Sequence, residues 1–222
     1  MKKQIKECRF ATGLLLALLV CGLFWFTVFE AAADVKIRVI NATNRYSMNR
    51  RQALAMLKDV KARFKNMTGE RLVIRSFRSV RNPFPFLQEK TYNYVEVLAT
   101  WSFYVADHPI HFRGPTIIIT PPFNASGIRW LQGATEGICS KETLAFTTSE
   151  NYNVAGELRY DHSVISFLHE LGHVVGADHD NTFPVTIMNA NMLPWVDIDP
   201  MMRYSALSLT QIHSCLEKWG TR

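Results

Sequence analysis

The chain has 222 residues, 48% of them hydrophobic and 20% charged, with a formal net charge of +6. That length suits a short leader followed by one domain, and the absence of any internal repeat or low-complexity linker excludes a repeat array. The positive charge does not point to a nucleic-acid partner: Lys58, Lys61, Arg63 and Lys65, then Arg75, Arg78 and Arg81, are scattered without interleaved aromatics and read as solvated faces.

Lys2, Lys3, Lys6 and Arg9 precede an apolar run at residues 10–29, followed by Ala31-Ala32-Ala33-Asp34. A basic start, an apolar stretch and small residues before a cut site make a signal peptide for residues 1–33, cleaved after Ala33. The run is also long enough to span a bilayer, so an uncleaved type II anchor is the rival reading. A lipoprotein site at Cys21 is disfavoured, because Val20 precedes it and the apolar run continues. Setting residues 1–33 aside removes four basic and two acidic residues and leaves residues 34–222 as one domain of formal charge +4.

In chain order, residues 35–40 alternate apolar and basic side chains and read as a half-buried strand, with Lys36 and Arg38 outward. Ala53, Leu54, Leu57, Val60 and Phe64 recur at helical steps, giving a helix over residues 48–66 that stops at Gly69. A second strand covers residues 72–77, and Pro83 and Pro85 make residues 82–86 a loop. Residues 94–105 fit either period. A helix is favoured, because the segment is long for a strand, whose usual length is about 5–6 residues. Residues 116–120 form a buried strand ended by Pro121-Pro122. Further strands are expected within 128–136, interrupted by Gly133, and over 143–147; helices are expected over 162–175 and 207–219. The pattern is that of a single α/β domain.

The densest chemistry lies in His169-Glu170-Leu171-Gly172-His173-Val174-Val175-Gly176-Ala177-Asp178-His179. On a helix, His169 and His173 project from one face and can bind the same ion. Gly176 can end the helix with positive φ, so the chain turns and returns His179 as a third ligand. Three neutral imidazoles leave one tetrahedral corner for water, the arrangement of a catalytic zinc rather than a closed structural one. Glu170 is not needed as a ligand and is placed to reach that water as a general base. Read alone, HExxH also occurs on ordinary amphipathic helices.

His162 shares the face of His169 two turns earlier and reads as a helix-start residue, since a fourth protein ligand would close the site. His108 and His111 read as loop groups, and His213 has no evident partner on the last helix. No acidic cluster has a calcium-loop pattern. Cys8 and Cys21 fall in the leader. Cys139 and Cys215 remain, an even count that favours a disulfide in an oxidising compartment over two unrelated buried thiols. Asn41-Ala42-Thr43, Asn66-Met67-Thr68 and Asn124-Ala125-Ser126 are glycan acceptors in a eukaryotic secretory context.

Past His179 come Asp180 and Thr186-Ile187-Met188-Asn189. A methionine one short loop after the third histidine resembles the metzincin zinc endopeptidases. Asp180 directly after the last ligand resembles their adamalysin (reprolysin) group, as do Ile119-Thr120, Gly137-Ile138-Cys139-Ser140 and Asp161-His162-Ser163. The similarity is specific over residues 116–188 and weak before Pro109. Ala190 stands where astacins and serralysins place tyrosine, and Asp180 where matrixins place serine or threonine. The resemblance implies a mixed twisted sheet, an active-site helix, a C-terminal helix, and a cleft between upper and lower subdomains. It also implies that Met188 forms an apolar base under the zinc without ligating it, that the Asp180 carboxylate fastens the turn, and that Cys139 pairs with Cys215. Residues 189–195 would wall the pocket for the residue after the cleaved bond. The chain departs from adamalysins in lacking most of their cysteines and a propeptide. With no cysteine between Asp34 and Ile138, no thiolate-plug latency is expected.

The expected function is therefore a secreted, monomeric zinc endopeptidase carrying one catalytic ion. Its substrate would be an extended peptide bonded along the edge strand at residues 128–136. Two rivals remain: a membrane-tethered, sheddase-like enzyme if residues 10–29 are retained, and a binding protein on a protease scaffold. The presence of Glu170 argues against the second, since binding alone needs no base.

Overall fold

Strands β1 (Asp34–Asn41) and β2 (Arg71–Ser79) run parallel because helix α1 (Arg50–Thr68) carries the chain back between them. The computed structural model describes residues 34–43, 48–81, 91–109, 114–121, 124–125, 133–148, 160–180, 186–189 and 203–220. All of them lie in the unit Ala33–Arg222. The leader at 1–33 and the loop at 82–86 fall outside these residues, as does most of the 128–136 segment. Among the described residues no helix is long and apolar enough to cross a membrane.

Helix α1 begins at a capping box, in which Asn49 accepts from the Gln52 amide while the Gln52 side chain accepts from the Asn49 amide. It stops at Gly69, as its sequence indicates. Its buried stripe is Ala53, Met56, Leu57, Val60 and Phe64, and full burial of a side chain such as Leu57 or Phe64 contributes about 1.5–3 kcal/mol. Helix α2 (Tyr94–Asp107) resolves the ambiguous segment as helical, capped by Asn93. Its inner face is Val97, Leu98 and Trp101, whereas Val95 points to solvent.

The principal sheet has the order β2-β1-β4-β7-β6, with β4 at Thr116–Thr120, β6 at Gly133–Glu136 and β7 at Leu144–Thr148. Its pairings are parallel except that β6 runs antiparallel to β7 along one edge. A separate parallel pair joins β3 (Thr91–Tyr92) to β5 (Asn124–Ala125). Thr-Ile-Ile-Ile-Thr in β4 is buried throughout, because a central parallel strand is covered on both faces. One face of the sheet, through Val35, Ile37, Val39, Ile117 and Ile119, packs on α1, on helix α3 (Tyr160–Val174) and on helix α4 (Ala206–Lys218). The other, through Ile40, Ile118 and Phe146, packs on α2.

That second covered face corrects the reading of β1 as half-buried. Arg38 is 1% exposed rather than solvated, because α2 lies over the side of the sheet to which alternation directs it. Burial and the charge of Arg78 lower its pKa. A second correction concerns Asn41. It is fully buried, its Nδ2 donates to the Met48 carbonyl, and its Oδ1 accepts from the amide and hydroxyl of Thr43. In the folded chain this sequon cannot receive a glycan. Asn66, by contrast, is exposed on α1.

Candidate metal centre

Helix α3 places His169 and His173 one turn apart. The helix then closes: the Gly176 amide donates to the His173 carbonyl and the Ala177 amide to the Gly172 carbonyl. Gly176 sits at φ 106°, and a Cβ there would lie 2.6 Å from the Cβ of Cys215. Both conformation and space therefore demand glycine. The reversal brings His179 back, so that the Nε2 of His173 lies 3.2 Å from the Nε2 of His169 and 3.2 Å from that of His179. Among the described residues these three form the group able to hold a metal ion.

The geometry fits zinc. Two nitrogens bound tetrahedrally at about 2.0–2.1 Å lie about 3.3–3.4 Å apart, close to the separations found. The Nδ1 of His169 faces the Ile187 carbonyl at 2.6 Å, and that of His173 faces the Ala177 carbonyl at 2.8 Å. Because a carbonyl only accepts, each Nδ1 carries the proton and each Nε2 presents a lone pair inward. Burial, then the neighbouring His173, pushes His169 down to about 3, and burial also lowers His173. These rings are thus kept neutral, the form that ligates.

Glu170 lies beside this group, 4% exposed. Burial raises its pKa to about 8, opposed by a hydrogen bond from Thr135 Oγ1 to Glu170 Oε2 at 2.5 Å. Thr135 belongs to β6, so the edge strand touches the carboxylate directly.

Beneath the histidines, Asn189 donates to the Thr186 carbonyl and closes a turn whose Ile187 carbonyl orients His169. Met188 is fully buried in this turn. Its sulfur occupies the place a Cβ on Gly172 would take, with Tyr204 Cε1 3.1 Å away. The Asp180 amide donates to the Met188 carbonyl at 2.8 Å, a main-chain link between the ligand loop and the methionine turn, and Asp180 itself is buried. Tyr204 donates to the Leu168 carbonyl at 2.5 Å, and burial raises its pKa. From α4, Gln211 accepts from the Asp178 amide, and Cys215 is joined to Cys139 by a disulfide. The Cys139 amide reaches back to the His173 carbonyl at 3.4 Å.

The structure therefore gathers His169, Glu170, His173, Gly176, His179, Asp180 and Met188 in one place. His162 is buried in the first turn of α3 and does not join the metal-ligating group. His108 is exposed and stacks on Tyr104 with ring centroids 4.2 Å apart. His213 has a partner that its sequence context did not reveal, the Thr68 carbonyl at 3.0 Å. His111 and residues 190–195 lie outside the described residues. Sequence reasoning missed Thr135, Tyr204 and Gln211. It also read Gly133 as an interruption, although a glycine inside a strand signals a close approach, and here Glu170 is what approaches.

No family model matches the chain, and no curated protein matches it. Solved structures do. An archaemetzincin from Methanopyrus kandleri superposes with a TM-score of 0.60 at 14% identity, covering 86% of this chain and 99% of that one. Metalloproteinase-II from Bacteroides fragilis superposes with a TM-score of 0.56 at 16% identity, covering 85% of this chain and 55% of that one. At such identities the likeness is one of fold: a mixed α/β sheet with helices, shared with these two proteins.

Proposed function

We propose that this chain is a secreted zinc-dependent endopeptidase of metzincin type, with His169, His173 and His179 as the metal ligands and Glu170 as the general base. The observation that carries the reading is the convergence of three imidazoles, with the Nδ1 atoms of His169 and His173 held on carbonyls, beside a buried carboxylate that is not needed as a ligand. Bound zinc would lower the pKa of a water to about 7 and polarise the scissile carbonyl. Glu170 accepts the proton of the attacking water and delivers it to the leaving amine. A substrate strand pairs along the outer edge of β6, which β7 leaves open on that side among the described residues.

The adamalysin-like assignment rests on Asp180 after the last histidine and on the Cys139–Cys215 bridge. The bridge also supports export to an oxidising compartment. A peptide-library digest with the purified chain tests the activity. Cleavage should stop with a zinc chelator, return on adding zinc, and disappear in Glu170→Ala. Cleavage that survives both treatments overturns the reading, whereas partner binding without cleavage identifies a docking protein.

A further inference from the structure

Strand β6 does more than border the cleft: Gly133 and Thr135, two residues apart, face the same way and both meet Glu170. A Cβ at position 133 would lie 2.7 Å from Cγ and from Cδ of Glu170, and closer still to Oε1. Thr135 Oγ1 donates to the other carboxylate oxygen at 2.5 Å. We propose that Gly133 and Thr135 form a cradle on the edge strand that fixes the orientation of Glu170, with Thr135 as a positioning residue for the general base. This rests on the reading of Glu170 as that base.

The argument is one of degrees of freedom. A glutamate has three rotatable bonds, and a base that must meet a proton within about 3 Å loses rate when it wanders. The backbone of α3 fixes only its Cα. Tyrosine or arginine neighbours could tether a carboxylate more strongly, but they would crowd a site that must also admit water and substrate. A threonine hydroxyl and a bare glycine hold the group from one side at minimal volume. Ala134, between them, points to the opposite face, where it packs with the α2 cluster. That packing fixes the strand's register, and with it the facing of the two cradle residues. The antiparallel pairing of Gly133 with Thr147 and of Thr135 with Ala145 secures it further.

The test compares Thr135→Val, Thr135→Ser and Gly133→Ala in the full chain. It uses a fluorogenic peptide cut by the wild type, and the δ-carbon NMR signal of Glu170 in protein labelled with 13C-glutamate, assigned through Glu170→Gln. Thr135→Val, which keeps shape and loses the hydroxyl, should lower kcat about 10-fold with KM and zinc content unchanged, and should shift the Glu170 signal at constant pH. Thr135→Ser should restore both. Gly133→Ala should lower kcat about 100-fold, because the methyl displaces the carboxylate. Wild-type kcat and an unmoved signal in Thr135→Val, or no rescue by serine, overturn the cradle. An inactive wild type instead defeats the endopeptidase reading, and the NMR comparison still decides whether Thr135 holds Glu170.

Discussion

The sulfur of Met188 fills the space that a side chain on Gly172 would require. Gly172 is the residue immediately before His173, so the methionine turn and α3 are in contact beside the three histidines. The close packing also brings the Ile187 carbonyl within 2.6 Å of His169 Nδ1. Met188 thus acts through shape, by setting how near the turn lies to the helix.

Gly172→Ala should therefore push the turn away from the helix. Overpacking of a closed core costs about 1–3 kcal/mol, and the loss should be accompanied by weaker zinc retention, because His169 loses its orienting carbonyl. Thermal unfolding and competition with a chromogenic chelator check both. Unchanged zinc affinity would separate the turn from ligand orientation.

Removing the Cys139–Cys215 bridge should have a local as well as a global effect. Its 76-residue span corresponds to about 4 kcal/mol in the chain-entropy account. The bridge also packs against Gly176, the turn that returns His179. The Cys139→Ser, Cys215→Ser double variant should unfold at lower denaturant and release zinc faster than wild type at the same temperature. Equal zinc release would show that the main-chain bonds of the turn and Gln211, which accepts from the Asp178 amide, hold it without the bridge.

The pH dependence of the chelator-treated chain follows from two opposed shifts. Burial raises Glu170 from 4.5 to about 8, so the folded state holds this proton more tightly than the unfolded one, and stability falls as pH rises across that window. Burial pushes His169 down from 6.5 to about 3, so the unfolded state binds its proton first, and that contribution is lost as pH falls from 6.5. His173, which burial also lowers, acts in the same sense as His169, and both oppose Glu170 between 4.5 and 6.5. Between pH 6.5 and 8 the histidine contributions are complete and Glu170 sets the trend, with a slope approaching about 1.4 kcal/mol per pH unit. Urea unfolding between pH 6.5 and 8 should show this decline in the wild type and none in Glu170→Gln. A decline of equal slope in both would assign it elsewhere.

Much of the centre was legible because its signals are local. The spacing of His169 and His173, the turn at Gly176 and Met188 within residues 186–189 lie within one short stretch, and α1 announces itself by its periodic stripe and by Gly69. What escaped depends on contacts distant in sequence. Thr135 meets Glu170 across 35 residues and His213 meets Thr68 across 145, and nothing in either local pattern encodes the partner. Arg38 escaped for a related reason. Alternation along β1 correctly sorts its two faces, but a strand does not carry the information that α2 covers the second one. The Asn41 sequon likewise satisfies a three-residue rule, while its burial is set by Thr43 and Met48 folding around it.

The base and the ligands should separate cleanly by mutation. Glu170→Ala should lower kcat by about 10²–10⁴ while retaining one zinc per chain, whereas His173→Ala should lose the metal and the activity together. Metal analysis alongside kinetics distinguishes them. Zinc loss in Glu170→Ala would make that carboxylate a ligand.

The most direct measurement is the zinc-edge X-ray absorption spectrum of the purified, metal-loaded chain. Three imidazole rings at about 2.0–2.1 Å, with one further oxygen from solvent, is the predicted environment. A sulfur neighbour, a fourth imidazole, or a protein that fails to hold zinc when folded would contradict the account.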